Sequence, residues 1–284
     1  MVSERDVRLR DGRRVRVYDT GVQNAAEGPA EGPTVLWHHG SPQTGAPLAP
    51  LLSAADRRGV RLVSYGRPSY GGSTPHPGRD VASAASDVAQ IVDELGITRF
   101  AVMGASGGGP HALACAALLA GRVTGVVCLA GLAPLTDSFD WYAGMVSAGG
   151  LRAAVAGRKE RERYAATEVF DVNSFTSADW AALAGTWASL GADAERAGAA
   201  GPDGLIDDDV AFVAPWGFDV TGIDAPVLCV QGGADRVVPP SHADWLVRNC
   251  PSSELWLRPR DGHVSVLDAS PVAMDWLLAR DERA

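Results

Sequence analysis

The chain has 284 residues, a length that suits one large α/β unit better than two complete domains, and its 46% hydrophobic and 21% charged content excludes a disordered chain. It carries 25 basic against 34 acidic residues, a net charge of −9, which weighs against nucleic acid or an anionic membrane as a partner. Cys115, Cys128, Cys229 and Cys250 are widely separated and form no CxxC or Cys/His cluster, so neither a zinc site nor a disulfide framework is expected.

Met1 to Arg5 carries charge with no apolar stretch behind it, so no secretory signal is expected. No run approaches the roughly 18 apolar residues of a membrane helix. A cytoplasmic protein with buried free thiols is the expectation. Val7 to Tyr18 alternates around Asp11-Gly12, a pair suited to a tight hairpin turn. Asn24 to Pro33, rich in Gly, Ala, Glu and Pro, reads as a surface loop. Short apolar runs then alternate with helical stretches. Thr34–Trp37, Arg61–Tyr65, Phe100–Met103, Val123–Ala130, Val227–Val230 and Leu255–Leu257 are strand candidates, while Val81–Leu95 and Pro110–Leu119 show helical spacing. This alternation predicts an α/β fold with parallel strands joined by crossover helices.

Between about Leu132 and Pro215 no buried strand is predicted. Leu151–Phe170 and Ala178–Leu190 read as helices, and Gly191–Asp209 is a Gly/Ala/Asp-rich passage. A mostly helical insertion between two sheet strands is expected to sit above the sheet as a cap. That divides the chain into a core of residues 1–131 and 216–284 and a cap of residues 132–215. Trp141, Trp180, Trp187 and Trp216 lie in or beside the insertion and are expected to help enclose a substrate. The sign-alternating run Arg158 to Arg163 reads as a solvated helix face.

Gly104-Ala105-Ser106-Gly107-Gly108 stands between the strand Phe100–Met103 and the helix near Pro110. A serine there sits on a sharp strand-to-helix turn, with the helix N-terminus directed toward its oxygen. A phosphate-binding loop is disfavoured, because no Gly-Lys-Ser/Thr follows. A serine hydroxyl needs a base. Of the six histidines, His263 follows the last strand in Arg260-Asp261-Gly262-His263, on the sheet edge that also carries Ser106. Asp235 follows the strand Val227–Val230 on that same edge; Asp137, after the preceding strand, is the competing acid. His111 reads as a structural histidine, and His38 and His39 as residues that orient the loop after the strand from Thr34. His76 falls in a proline-rich loop and His242 opens a helix.

With these residues in order, the chain resembles the α/β-hydrolase superfamily over nearly its whole length. His39-Gly40-Ser41-Pro42 is similar to the family's HGxP segment, and Tyr65 to Ser73 to its Y-D-R-P-G-x-G-x-S loop, with Gly66 in place of the usual Asp and Ser69 in place of a usual Gly. The resemblance implies the α/β-hydrolase fold: a mostly parallel central sheet flanked by helices, with a helical cap. It further implies Ser106 as nucleophile, His263 as base, Asp235 as its orienting acid, and the backbone N–H groups of Ser41 and Gly107 as the oxyanion hole. No metal or cofactor is implied, and the expected partner is a small-molecule acyl substrate: an ester, lactone or thioester. Two other readings stay open. A peptidase similar to proline iminopeptidases needs an acidic grip on a substrate amine, for which Glu160, Glu162 and Glu168 are candidates. An acyl-transfer enzyme, a cyclase or a binding protein would keep the same pocket.

Overall fold

The structure, a computed structural model, describes residues 2–21 and 32–281. The loop expected at Asn24–Pro33 therefore lies outside the described residues except for its last two positions. Strands β1 (Ser3–Arg8) and β2 (Arg14–Asp19) form the antiparallel hairpin, with Val7 opposite Val15 and Gly12 at φ +89° in the turn. Next in the chain come β3 (Thr34–His38), α1 (Ala49–Asp56), β4 (Arg61–Tyr65), α2 (Ser83–Glu94), β5 (Phe100–Ala105), α3 (Gly108–Leu118) and β6 (Val123–Leu129). Helices α4 (Gly149–Val155), α5 (Arg158–Ala165), α6 (Ser177–Ala184), α7 (Ala188–Ala199) and α8 (Asp203–Val213) separate β6 from β7 (Val227–Gly232). Helix α9 (Pro240–Asn249), β8 (Ser253–Arg258) and α10 (Ser270–Asp281) complete the chain. The sheet order is β1-β2-β4-β3-β5-β6-β7-β8, parallel from β4 to β8.

Every residue of β3, β5, β6 and β7 is buried, as both-face coverage of a parallel sheet requires. Successive side chains point to opposite faces. Phe100, Val102, Val126 and Cys128 pack with α2, α3 and α9, while Ala101, Met103, Val127 and Leu129 pack with α1 and α10. All four cysteines are buried and free, and burial pushes the Cys128 and Cys250 thiols up to about 12. Among the described residues no helix is long and apolar enough to cross a membrane.

The inserted segment departs from its sequence-based description in three places. The stretch Leu151–Phe170 is broken at Gly157, whose φ of +100° ends α4 before α5 begins. A second break falls at Gly185, between α6 and α7. Gly191–Asp209 is helical through α7 and most of α8 despite its glycines, because those helices bury Asp193, Ala197, Ile206 and Asp208 against the rest of the molecule. Gly204 is needed there: a Cβ would collide with the Tyr70 ring, so its absence lets α8 approach the sheet edge.

Candidate active site

The two-residue turn between β5 and α3 holds Ser106 at φ +53°, a left-handed conformation rare for a residue with a side chain. Its neighbours explain how the chain takes this path. A Cβ on Gly104 would strike the Gly108 carbonyl, and one on Gly108 would strike the His38 carbonyl, so only glycine fits at either place. Ser106 N donates to Leu129 O at 2.8 Å, which ties the turn to β6.

His263, on the loop after β8, places Nε2 3.0 Å from Ser106 Oγ and Nδ1 2.8 Å from Asp235 Oδ2. Asp235, after β7, receives the N–H groups of Val237 (2.8 Å) and Val238 (2.9 Å) on Oδ1. All its neighbours donate to it, which assigns the imidazole proton to Nδ1 and leaves Nε2 as acceptor for the serine hydroxyl. Burial acts to lower the His263 pKa, but the Asp235 carboxylate, aided by Asp179, outweighs it and raises the value above 6.5. Asp137 is exposed on the loop after β6 and is not brought to His263.

Ser41 and Gly107 both line the cavity that contains Ser106 and His263. A Cβ on Gly107 would meet the Ser41 side chain, so the two backbones adjoin. Among the described residues neither N–H donates to a backbone acceptor, which leaves two adjacent donors beside the serine. His39 orients this loop: its Nδ1 donates to Gly40 O at 2.7 Å and its Nε2 accepts from Arg67 N at 3.1 Å. His111 is buried with Nδ1 bonded to Gly107 O at 2.7 Å, and burial holds its pKa well below 6.5. His38 stacks on His111, and burial lowers it to about 3. His242 accepts from Ala133 N and donates to Trp141 O, which fixes the chain after β6. Neither His242 nor the half-buried His76 lines the cavity.

The cavity measures about 480 Å³, and its wall is mainly apolar. Leu151, Phe170, Phe175, Leu190, Leu205 and Phe212 of the inserted segment face it. None of the four tryptophans does, contrary to the expectation from sequence. Trp141 and Trp187 are buried with Nε1 bonded to Ala133 O and Asp268 Oδ1, both at 2.8 Å. Trp216 is buried too and bonds to Phe212 O, while Trp180 is exposed beside Phe175. The three buried rings fill space between elements, and other side chains are left to shape the cavity.

The run Arg158–Arg163 is also not uniformly solvated. Arg161 turns inward, lines the cavity and is fully buried, with Nε 2.6 Å from Asp209 and Nη2 2.8 Å from Glu168. A helix turn places one residue of such a run on the inner face whatever the run's charge, so the pattern of signs carried no warning. Glu160 and Glu162 pair with Arg163 and Arg158 away from the cavity. Among the described residues no group of three or more His, Cys, Asp or Glu is placed to hold a metal ion.

A family model described as alpha/beta hydrolase fold matches residues 33–270. The chain is similar in structure to a bromoperoxidase from Bacillus anthracis, at 21% identity and TM-score 0.73 over 98% of each chain. It is similar to an enol-lactonase from Burkholderia xenovorans LB400, at 19% identity and TM-score 0.71 over 97% of this chain and 100% of that one. A thermophilic esterase from Thermogutta terrifontis aligns at 19% identity and TM-score 0.70 over 98% of each chain. At these identities the likeness is one of fold.

Proposed function

The chain belongs to the α/β-hydrolase family, and we propose that within it this protein is a serine hydrolase acting on an ester, lactone or thioester of a small, partly apolar metabolite. The observation that carries this reading is the continuous chain from Asp235 through His263 to Ser106, opening onto an apolar cavity. Ser106 Oγ attacks the acyl carbonyl as His263 Nε2 takes its proton, and Asp235 stabilises the imidazolium. The N–H groups of Ser41 and Gly107 hold the oxyanion of the tetrahedral intermediate. Collapse expels the alcohol or thiol, which leaves with the proton from His263; in a lactone it stays tethered to the acyl group. Water then attacks the acyl-enzyme by the same route in reverse roles, releasing the acid and free Ser106. Residues 132–215 act as the cap over the core of residues 1–131 and 216–284.

A cavity of about 480 Å³ suits a small ligand. The peptidase reading is weaker: Glu168 and Asp209 line the cavity but both are bonded to Arg161, which occupies the carboxylates an ammonium would need. The experiment is a panel of p-nitrophenyl esters of increasing acyl length, simple lactones and proline p-nitroanilide. Turnover of short and medium acyl substrates without release from the anilide is expected. No turnover of any ester, lactone or thioester would overturn the reading.

A further inference from the structure

Asp208, on α8 of the inserted segment, is fully buried and forms bonds to four residues of the sheet edge. Arg67 Nη2 and Arg79 Nη2 each reach it at 2.6 Å, Tyr70 Oη donates at 3.0 Å, and Ser41 Oγ donates in a short hydrogen bond. Burial opposes its charge, but the two guanidiniums outweigh that and hold the carboxyl well below the usual carboxylate range. Arg67 then grips the loop before Pro42 from the same side. It donates to His39 O and, at 2.9 Å, to Ser41 Oγ, while its Nη2 lies 3.5 Å from Gly40 O.

Gly40 O belongs to the same planar peptide unit as the Ser41 N–H. In a trans peptide these two groups point in opposite directions, so fixing the carbonyl aims the N–H. The counter-charge for Arg67 has no room at position 66, where a Cβ would press on the carbonyls of Thr44 and Tyr70. It comes instead from a helix 141 residues further along the chain.

We propose that Asp208 is a positioning residue for the oxyanion loop: His39 Nδ1 holds Gly40 O at 2.7 Å, and Asp208 with Arg67 holds the Ser41 side chain, so that the Ser41 N–H is aimed best at the reacting carbonyl while α8 is docked on the sheet edge. This rests on the serine hydrolase reading above. The inserted segment then completes the catalytic geometry as well as enclosing substrate. Because the Ser41 N–H acts on the developing oxyanion, its misplacement lowers kcat rather than raising KM.

The test is a double-mutant cycle on the full chain with an ester the wild type turns over. Asp208→Asn and Ser41→Ala are each expected to lower kcat about 10- to 100-fold, with KM changed by less than about threefold. The double variant is expected to be no slower than the slower single one, because both act through one contact. Ser41→Thr, which keeps the hydroxyl, restores most of the rate. Multiplying losses, a loss carried by KM, or wild-type kcat in Ser41→Ala would each overturn the proposal while the hydrolase reading stands. If Asp208→Asn does not fold, the Ala and Thr variants of Ser41 decide alone. A wild type that turns over no acyl substrate takes down both readings together.

Discussion

Asp179 Oδ1 accepts the backbone N–H of Val264 at 2.8 Å, which ties α6 of the inserted segment to the loop that carries His263. The same oxygen accepts from Ser265 N at 2.8 Å, while Oδ2 caps α6 through Thr176. A Cβ on Gly262 would collide with this carboxylate, so the glycine before His263 permits the contact. Asp193 on α7 does similar work at Thr44, with bonds of 2.9 and 2.6 Å, and Asp208 on α8 at Ser41. Three helices of the insertion thus each end a buried carboxylate on the sheet edge, Asp179 on the loop that carries His263 and both Asp193 and Asp208 on the loop between β3 and α1.

The Asp179 contact predicts a pH effect. Asp235, with help from Asp179, raises the His263 pKa above 6.5 against the effect of burial. A general base must be neutral, so kcat/KM is lost as pH falls through that raised value. Asp179→Asn removes one raising influence and moves the acidic limb to lower pH. Measuring kcat/KM from about pH 5 to about pH 9 checks this; a limb that stays or moves up would contradict it.

The two candidate acids separate cleanly. Asp235→Asn is expected to lower kcat on the order of 10⁴-fold, because the amide cannot hold the correct tautomer or stabilise imidazolium. Asp137→Asn, on an exposed loop, is expected to leave kcat unchanged. Steady-state kinetics of the pair decides the assignment.

Substrate choice is expected to follow the phenylalanines. Phe175→Ala enlarges the cavity and shifts the ranking of esters toward longer acyl groups. Trp141→Ala removes a buried ring from a packed cluster with His242 and Tyr142, costing about 3–5 kcal/mol with the ranking unchanged. Acyl-length profiles beside urea melts of both variants check the division.

Arg161→Met leaves Asp209 buried without its partner; burial already raises this carboxyl to about 7, so it takes up a proton, and the loss is expected to be about 1–3 kcal/mol, as for an unpartnered buried polar group. Arg161→Met combined with Asp209→Leu is expected to recover much of that, since removing both charges removes the desolvation problem. Chemical denaturation of the single and double variants measures it; equal losses would contradict a coupled pair.

Much of this architecture was legible because its signals are local. All-apolar β5 followed by glycines around Ser106 and then a helix specifies a turn with one geometry, and chain order puts Asp235 and His263 on the same sheet edge. The residues that escaped are those whose meaning depends on distant partners. Arg161 is one charge in a mixed run until α8 brings Asp209 to it, and nothing near Arg67 indicates Asp208. The helix ends in the insertion escaped for a related reason: Gly157 and Gly185 break helices, while Gly191 and Gly198 lie inside α7, where burial outweighs propensity.

The most direct test of the central claim is mass-spectrometric mapping of the residue labelled by a fluorophosphonate, followed alongside ester turnover. The account predicts a single adduct on the peptide containing Ser106, turnover lost in step with labelling, and a folded Ser106→Ala variant that takes no label and is slower by roughly 10⁶-fold in kcat. Inactivation with the adduct on another residue, or ester turnover near the wild-type rate in Ser106→Ala, would contradict it.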